Sequence, residues 1–425
     1  MLSLSRALIY RTMASPVRRS TRSQTTTPNR KRPAEDELSD APSPKKATKK
    51  RAVELVELVI PPVQRKETTF KGRLGYACLN TILRNQKPAK TAVFCSRTCR
   101  LDSIKTNGIE WLKDLGRKNV EDLLTMIQWN EDNNIRFMRM SSEMFPFASH
   151  SVHGYSLEYC APLLARVGEL ANKLGHRLTT HPGQYTQLGS PKPEVVQASI
   201  RELAYHCEMI ERMGLGPDSV CILHGGGTYG DKPAALERVK KTIKDVLPAN
   251  VRARLVLEND ELCYSAEDLL PLCEELDVPL VFDYHHDALF PSTIPHSEIF
   301  SRANAIFTRR GIKPKQHLSE PRPGAVTIQE LRAHADRCES LPADLPDDMD
   351  LMIEAKDKEQ AVFHLYRIYG LEDVKQENLR PPSENQTTET KGRKSSKSPR
   401  KKAKKAKEEQ EEEEEEGKDE CEEDE

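Results

Sequence analysis

The residues of this sequence that could do chemistry are histidines and acids at the ends of short apolar segments. The segment 281–287, VFDYHHD, shows the pattern, because two apolar residues lead into Asp283 and His286. Imidazole and carboxylate groups brought together can hold a divalent metal or move a proton. The same placement recurs along the chain, at His150, His181, His224, Glu258, His317 and Glu354.

A single histidine or acid at the end of a strand is more often a structural hydrogen-bonding group than a ligand. Several carboxylates that converge, however, repel one another unless cations neutralise them. The mixture of imidazole and carboxylate suits zinc, manganese or iron, and it disfavours calcium, which takes oxygen ligands. Because there are more candidate ligands than one ion can use, the sequence predicts two or three divalent ions. Such clusters activate water and neutralise charge on a phosphoryl group.

Lys315 adds a basic group to this set. It lies two residues before His317, so both side chains share one face of a strand. Four alternatives remain open from the sequence. The amine could be neutral, it could bind a substrate phosphate as a cation, it could be carbamylated and bridge metals, or it could point outward to solvent.

The elements that position these residues form a regular alternation. Eight short apolar segments are separated by amphipathic stretches with helical spacing, which predicts an α/β fold with a parallel sheet. Eight repeats over roughly 300 residues favour a closed (β/α)₈ TIM barrel. In such a barrel the carboxyl ends of the strands form the active-site mouth. The predicted strands lie within 74–79, 135–140, 176–181, 220–224, 254–259, 280–284, 313–319 and 350–355.

Helix boundaries are also visible in the sequence. Thr327 and Glu330 form a capping-box pattern, and Ser265 with Asp268 is a weaker version. Gly370 marks a helix end. The pattern after Thr327 places His334 on a helix, where it would be a surface histidine. The glycine-rich stretch 224–232 lacks the spacing of a nucleotide-binding P-loop, so its glycines are expected to allow a close approach of the backbone.

Both ends of the chain differ from this central part in composition. Residues 1–51 hold 13 Lys/Arg and 4 Asp/Glu, and residues 391–425 hold 11 and 14, which leaves the rest at about −7 of the overall −1. We expect a disordered basic arm over 1–70, a barrel over 71–374 and a disordered basic-then-acidic tail over 375–425. No apolar run is long enough to span a membrane.

The arm carries features that bear on localisation. The clusters at 29–33 and 45–51 are typical of nuclear-import or nucleic-acid patches, or of a solvated tail. Residues 1–23 contain several Arg and Ser and no acid, which is typical of a mitochondrial presequence. The nucleus, with the mitochondrion as a second site, is therefore the expected location. Import receptors or chromatin are the expected partners of the tails.

Nine motifs in order resemble the UV-damage endonucleases, and the charged tails resemble those of the fungal-type members. The resemblance runs over about residues 72–372. The motifs are RLGYACLN (73–80), FPFASH (145–150), HPGQYTQLGSP (181–191), LHGGGTYGDK (223–232), LENDE (257–261), FDYHHD (282–287), KQHLSE (315–320), RAHAD (332–336) and MIEAKDKE (352–359).

The resemblance implies a TIM barrel that nicks double-stranded DNA immediately 5′ of ultraviolet photoproducts and leaves a 3′-hydroxyl and a 5′-phosphate. It implies that Glu258, Lys315 and His317 act in catalysis, with manganese as the expected metal and zinc or magnesium as alternatives. The implied metal ligands are His150, His181, His224, Glu258, Asp283, His286, His317, His334 and Glu354.

Substrate recognition is also implied by the resemblance. Gln184 and Tyr185 would fill the gap left by flipped-out bases, and Tyr76 and Asn80 would lie near the flipped nucleotides. An ordinary core position remains the alternative for Tyr76. The chain is expected to act as a monomer. Rival functions are an abasic-site endonuclease, a metal-dependent sugar isomerase and a non-catalytic chromatin-binding protein.

Overall fold

The structure is a computed structural model that describes residues 58–383, and it confirms the predicted (β/α)₈ TIM barrel. Most of the predicted arm and tail lies outside these residues. All eight strands fall within the predicted segments and run parallel. They are β1 (Leu74–Ala77), β2 (Phe137–Arg139), β3 (Arg177–Thr179), β4 (Cys221–His224), β5 (Leu255–Glu258), β6 (Leu280–Asp283), β7 (Lys315–Leu318) and β8 (Asp350–Ile353).

Strand pairing closes the barrel and aligns the candidate site residues. The strand order is β3-β2-β1-β8-β7-β6-β5-β4, and a parallel bridge between Thr180 and Cys221 joins the two ends of the sheet. In this register His224 pairs with Glu258, and Asp283 pairs with His317. Sheet hydrogen bonding therefore brings imidazole and carboxylate groups to the same height at the carboxyl end.

The helices surround the strands and pack apolar faces on them, as their spacing predicts. In α3, Leu112, Val120, Leu123 and Ile127 follow this helical spacing and are fully buried. The helices are α1 (Thr81–Arg84), α2 (Leu101–Asn107), α3 (Ile109–Glu131), α4 (Ala161–Lys173), α5 (Pro193–Arg212), α6 (Lys232–Lys241), α7 (Ala249–Arg254), α8 (Ala266–Leu276), α9 (Tyr284–Leu289), α10 (His296–Arg309), α11 (Ile328–Leu331) and α12 (Glu359–Tyr369). A π-helical turn (Thr242–Val246) extends α6, and 3₁₀ turns cover Ala89–Thr91, Leu157–Cys160 and Gln376–Asn378.

The predicted helix caps are present, with one correction that concerns the site. Both halves of the Thr327 capping box form, and Gly370 ends α12 in the left-handed conformation. However, α11 has only one turn, and His334 lies beyond it in a bridge with Pro321. The prediction that His334 lies on a helix is therefore wrong. A capping box fixes where a helix begins, but it does not determine the length.

Chain segments on both sides of the predicted 71–374 domain also pack on the barrel. Phe70 is buried, and the Lys66 N–H donates to the Ile368 carbonyl at 2.9 Å. Leu379 is buried as well. Among residues 58–383, no helix has both the length and the apolar character needed to cross a bilayer.

The amino end of the barrel is closed by an ion-pair network. The Asp350 carboxylate accepts from Arg73 Nε at 2.7 Å and from Arg177 Nη1 at 2.8 Å. These residues lie at or just before the first positions of β8, β1 and β3. The same arginines donate to backbone carbonyls of the loops that enter the strands. This network holds strand starts and loops together at the end of the barrel opposite the mouth.

Candidate metal centre and active site

The mouth of the barrel gathers most of the predicted ligands into two groups that share a carboxylate. In each group, one ligand atom from every residue lies within 4.8 Å of the others. The first group is His181, His224 and Glu258, and the second is Glu258, Asp283, His317 and Glu354. Six of the nine predicted ligands therefore meet, and they come from the ends of β3 to β8.

Glu258 lies between the two groups, and each of its oxygens faces a different one. Oε2 is 3.1 Å from His181 Nε2 and 3.5 Å from His224 Nε2. Oε1 is 2.9 Å from His317 Nδ1. The carboxylate is buried. This geometry suits a carboxylate that bridges two neighbouring divalent ions.

Asp283 provides a test of whether the residues fit a metal. Its Oδ1 accepts the backbone N–H of His285 at 2.8 Å and of His286 at 2.9 Å, which caps α9. Its Oδ2 is buried and has no hydrogen-bond partner. A buried unpaired carboxylate oxygen is costly. Because this oxygen points into a group with Glu258, Glu354 and His317, a bound cation would satisfy it, and the site fits a divalent ion.

Backbone carbonyls fix the ring orientation of three predicted ligands. A carbonyl oxygen only accepts, so the ring Nδ1 must donate and the Nε2 lone pair is left for a metal. These hydrogen bonds join His181 to Pro182 at 3.0 Å, His286 to Asn259 at 2.9 Å, and His334 to Glu354 at 2.6 Å. Burial, only partly offset by Glu258, lowers the pKa of His181 to about 4, so this ring is neutral near pH 7.

His286 borders both groups but belongs to neither. Its Nδ1 is 3.6 Å from Glu258 and 3.8 Å from Asp283, and its ring centroid is 5.4 Å from that of His224. Burial disfavours its charged form, but the surrounding carboxylates outweigh burial and raise the pKa of His286 to about 9. Without other cations, the protonated ring partly balances these acids.

His334 and His150 lie farther from the two groups. The His334 ring is 5.2 Å from that of His285 at the edge of the mouth. His150 Nδ1 accepts the backbone N–H of Val152 and His153, each at 3.1 Å, which leaves its Nε2 as the donor. His150 lines a separate cavity of about 420 Å³ together with the loop after β3. Metal ligation by His150, His286 and His334 stays a prediction.

Lys315 is buried at the centre of the site. Its Nζ hydrogen-bonds His317 Nε2, and only 1% of the residue is exposed, so the outward-facing alternative is wrong. Burial, reinforced by the Arg177 charge, lowers the pKa of Lys315 to about 7. His317 Nδ1 donates to Glu258, so its Nε2 accepts from Lys315. This contact fixes the orientation of the His317 ring, with Nδ1 toward the carboxylates, and as a metal ligand His317 would give up the Nδ1 proton and bind through that nitrogen.

Arg139 is a site residue that the sequence analysis did not identify. It forms an ion pair with Glu354, and both side chains are 13% exposed. The Glu354 charge outweighs the effect of burial and raises the pKa of Arg139. Its sequence signal was its place as the last residue of β2, at the height of the other strand ends. Asn259 was missed too, although it exchanges two hydrogen bonds with the Asp283 backbone and ties β5 to β6.

The predicted probe pair is exposed on the loop after β3. Gln184 is exposed, and Tyr185 is 85% exposed. Gln187 braces this loop, because its Nε2 donates to the Gln184 carbonyl and its Oε1 accepts the Gly227 N–H, both at 2.8 Å. Gly226 makes the brace possible, since its φ of +88° favours glycine and a Cβ there would lie 2.7 Å from Gln187 Oε1.

Tyr76 and Asn80 are placed differently from the predicted probe residues. Both are fully buried. The Tyr76 hydroxyl donates to Asn130 Oδ1 at 2.7 Å, and Asn80 caps α1 by accepting the Leu83 N–H at 2.9 Å. Contact of Tyr76 and Asn80 with substrate stays a prediction, and the alternative of an ordinary core position for Tyr76 fits its burial. Both side chains are already used by the core and by a helix cap.

The fold and the site together define a (β/α)₈-barrel protein with a candidate two-ion centre at the mouth. The profile of the UV-endonuclease UvdE family matches residues 72–382, and the chain belongs to this family.

Several relatives are similar over the same region. UV-damage endonucleases of Schizosaccharomyces pombe and Neurospora crassa are 49% and 47% identical over 318 and 344 residues, covering 72% and 71% of this chain. The chain spans about half, 52%, of each of these two relatives. A UV DNA damage endonuclease of Bacillus velezensis is 33% identical over 69% of this chain and 92% of its own length. The crystal structure of SacUVDE matches with a TM-score of 0.61 and 27% identity, over 69% of this chain and 96% of that one.

Proposed function

We propose that this chain is a DNA-repair endonuclease that acts on ultraviolet-damaged duplexes. It would hydrolyse the phosphodiester bond immediately 5′ of cyclobutane pyrimidine dimers and 6-4 photoproducts and leave a 3′-hydroxyl and a 5′-phosphate. The relatives named UV-damage endonucleases support the substrate class. The observation that carries the proposal is the buried Glu258 shared by two ligand groups in a barrel of this family.

We propose that the site holds two or three divalent ions, with manganese as the metal. His181, His224 and Glu258 would hold one ion, and Glu258, Asp283, His317 and Glu354 would hold a second. Such ions supply water activation and the neutralisation of negative charge on a phosphoryl group. The fixed ring tautomers and the cap on Asp283 preorganise these ligands, so that little reorganisation accompanies the reaction.

Lys315 and His317 have a shared role in this mechanism. Lys315 Nζ directs His317 Nδ1 toward the carboxylates. Burial and the Arg177 charge lower its pKa to about 7, and bound divalent ions would favour the neutral amine further. The neutral amine could accept a proton in this buried site. His317 fixes the distance between this amine and Glu258.

Lesion recognition is assigned to the exposed loop after β3. A photodimer distorts its duplex and is poorly stacked, so turning it out costs less than turning out normal bases. Tyr185 can stack in the gap, which is worth about 1–3 kcal/mol per base for aromatic contacts with nucleic acid. The Gln187 brace holds the loop open toward solvent before DNA binds.

The test uses the full chain, manganese, and a 5′-labelled duplex with one cyclobutane dimer. We expect a single nick just 5′ of the dimer that chelation abolishes and that Glu258→Gln loses. Glu237→Gln is the matched control, because Glu237 is an exposed surface acid. An undamaged duplex should stay intact.

Other outcomes would assign the protein to a rival function. Cleavage of an abasic duplex without cleavage of the dimer would indicate an abasic-site endonuclease. Bound metal without cleavage of either duplex would favour the sugar isomerase. If the wild-type chain binds duplex DNA but makes no nick, and Glu258→Gln binds with the same affinity, the protein would be a non-catalytic chromatin-binding protein.

We also propose that the chain acts as a monomer in the nucleus and in the mitochondrion. The sequence features behind the two proposed locations, at 1–23, 29–33 and 45–51, lie outside the described residues. Import receptors or chromatin would contact the charged tails. Fluorescent fusions that lack residues 1–23 or carry neutral replacements at 29–33 and 45–51 would lose mitochondrial or nuclear signal, respectively. Unchanged distribution would contradict the assignment.

A further inference from the structure

The segment 355–359, AKDKE, has balanced charges in the sequence but not in the fold. Asp357 accepts from Arg337 Nε at 2.9 Å. Glu359 is buried and accepts the Thr81 N–H at 2.8 Å. Both acids are therefore used by structural hydrogen bonds. Asp357 and Glu359 therefore do not neutralise Lys356 and Lys358, the two lysines of the segment.

Lys356 and Lys358 line a cavity of about 310 Å³ at the mouth of the barrel. Lys356 is exposed and Lys358 is partly exposed. The volume is at the low end of the range for small-ligand sites. The complete lining is Ala77, Arg139, His334, Glu354, Ala355, Lys356 and Lys358.

Arg139 and Glu354 connect this cavity to the candidate metal centre. Glu354 belongs to the second ligand group, and its ion pair with Arg139 forms part of the cavity wall. The cavity therefore lies directly beside the position where cleavage is proposed. Lys358 has a φ of +56° and a ψ of −119°, a strained backbone conformation for a residue with a side chain. Strain of this kind is concentrated at functional sites.

We propose that this cavity is a subsite for a DNA backbone phosphate next to the cleaved linkage. The proposal rests on the proposed function. Three cationic side chains surround the cavity, and its one carboxylate is already paired with Arg139. A lysine ammonium binds a phosphate as a point charge, and arginine adds directed N–H donors. A sugar or an apolar ligand would leave these charges unmatched.

A subsite at this position would fix the register of the strand on the metal centre. Phosphates follow one another along a strand, so holding one of them places its neighbour. Contacts to phosphates position a protein on DNA without reading sequence, which suits an enzyme whose target is a lesion.

The test measures duplex binding by the full chain in chelator over a series of salt concentrations. The variants are Lys356→Gln, Lys358→Gln and the double substitution, and Lys71→Gln is the matched control. Lys71 is exposed and lies just before β1, at the opposite end of the barrel. The double substitution, which removes both lysines from the one phosphate, should reduce the slope of log affinity against log salt by about 0.9 in total, and each single substitution should reduce it by less. Near 0.1 M salt the dissociation constant of the double variant should rise about 5–10-fold, as the slope implies.

A second measurement identifies the phosphate. Single uncharged methylphosphonate linkages are placed at successive positions around the dimer. One linkage next to the cut should weaken binding by the wild-type chain about 5–10-fold and should weaken binding by the double variant less, because only Arg139 still faces that phosphate. Slopes equal to that of Lys71→Gln, or a methylphosphonate effect as large in the double variant as in the wild-type chain, would overturn the subsite.

The two proposals fail in different ways. If the wild-type chain does not nick the dimer but the lysine and methylphosphonate effects are present, the subsite stands and the proposed function fails. If the dimer is nicked and the variants behave like Lys71→Gln, the subsite alone is wrong.

Discussion

The two ends of the barrel both bury charge, but they neutralise it differently. At the amino end, both oxygens of Asp350 accept from arginine, at 2.6–2.8 Å. At the carboxyl end, Glu258, Asp283 and Glu354 share a site with imidazoles and Lys315, and Asp283 Oδ2 has no partner. The Phe137 ring lies between the two ends, 5.7 Å from Arg177 Cζ and 5.9 Å from Lys315 Nζ.

This difference separates a structural charge cluster from a functional one. Where the chain supplies the matching cations, both oxygens of the buried acid are satisfied, and the role of the cluster is to hold strands together. Where acids outnumber fixed cations, the balance must come from bound ions or from a raised pKa of a neighbouring base, as for His286. Burial alone does not distinguish the two clusters, because both are buried. The clusters differ in their acceptors, because only the acids at the mouth include an unsatisfied carboxylate oxygen, Asp283 Oδ2.

The largest expected effect is on cleavage at the mouth. Glu258→Gln should lower the rate of nicking by at least about 10³-fold, equal to about 4 kcal/mol, because it removes the carboxylate shared by both ligand groups. The rate is measured on the dimer duplex with saturating manganese. Asp350→Asn is the comparison variant, and it should keep the wild-type rate per folded molecule. A comparable loss in Asp350→Asn would break the distinction between the two ends.

The next effect is on stability at the amino end. Asp350→Asn should lower the free energy of unfolding by about 3–5 kcal/mol, because it leaves Arg73 and Arg177 without their buried partner. Urea denaturation in chelator measures it. A matched variant is Asp348→Asn, since Asp348 is an exposed neighbour whose Lys313 partner lies at the surface, and it should change stability by less than about 1 kcal/mol. Equal losses in the two variants would contradict the structural role.

A third and smaller effect links metal binding to folding. Manganese at about 100 times its dissociation constant should raise the free energy of unfolding by about 2.7 kcal/mol for each bound ion. The increment should be unchanged in Asp350→Asn and smaller in Asp283→Asn, which removes a ligand of the second group. Thermal or urea unfolding with and without manganese gives both numbers. A full increment in Asp283→Asn would show that the ions bind elsewhere.

The sequence predicted the fold and the centre of the site for identifiable reasons. Strand-length apolar runs and helical periodicity depend on local chemistry, and they determined the barrel. The barrel in turn implied that residues at strand ends converge, which brought His181, Glu258 and His317 together. These inferences need only the order of elements and one rule about where barrel sites lie.

The rest depends on contacts between segments that are far apart in the chain. Arg139 and Glu354 are 215 residues apart, and nothing local in either segment indicates their pairing. The burial of Tyr76 depends on Asn130 in α3. The length of α11 depends on the bridge that follows it, so His334 was assigned to the wrong element. The charge separation within 355–359 likewise depends on Arg337 and Thr81.

The smallest effect is a pH dependence that sharpens the comparison at the amino end. Burial would raise the pKa of Asp350, but Arg73 and Arg177 outweigh it and lower that pKa in the folded state. A lowered folded-state pKa contributes stability above the unfolded value, near 3.9 for Asp, and that contribution is lost as the pH falls toward the folded-state pKa. The difference in free energy of unfolding between wild type and Asp350→Asn should therefore be constant from pH 7 to about 5 and shrink below about pH 4. Paired urea curves in chelator at each pH measure it, and the difference cancels titrations at the mouth because both chains share them. A difference that stays constant at low pH would mean that the Asp350 charge does not account for the stability of this end of the barrel.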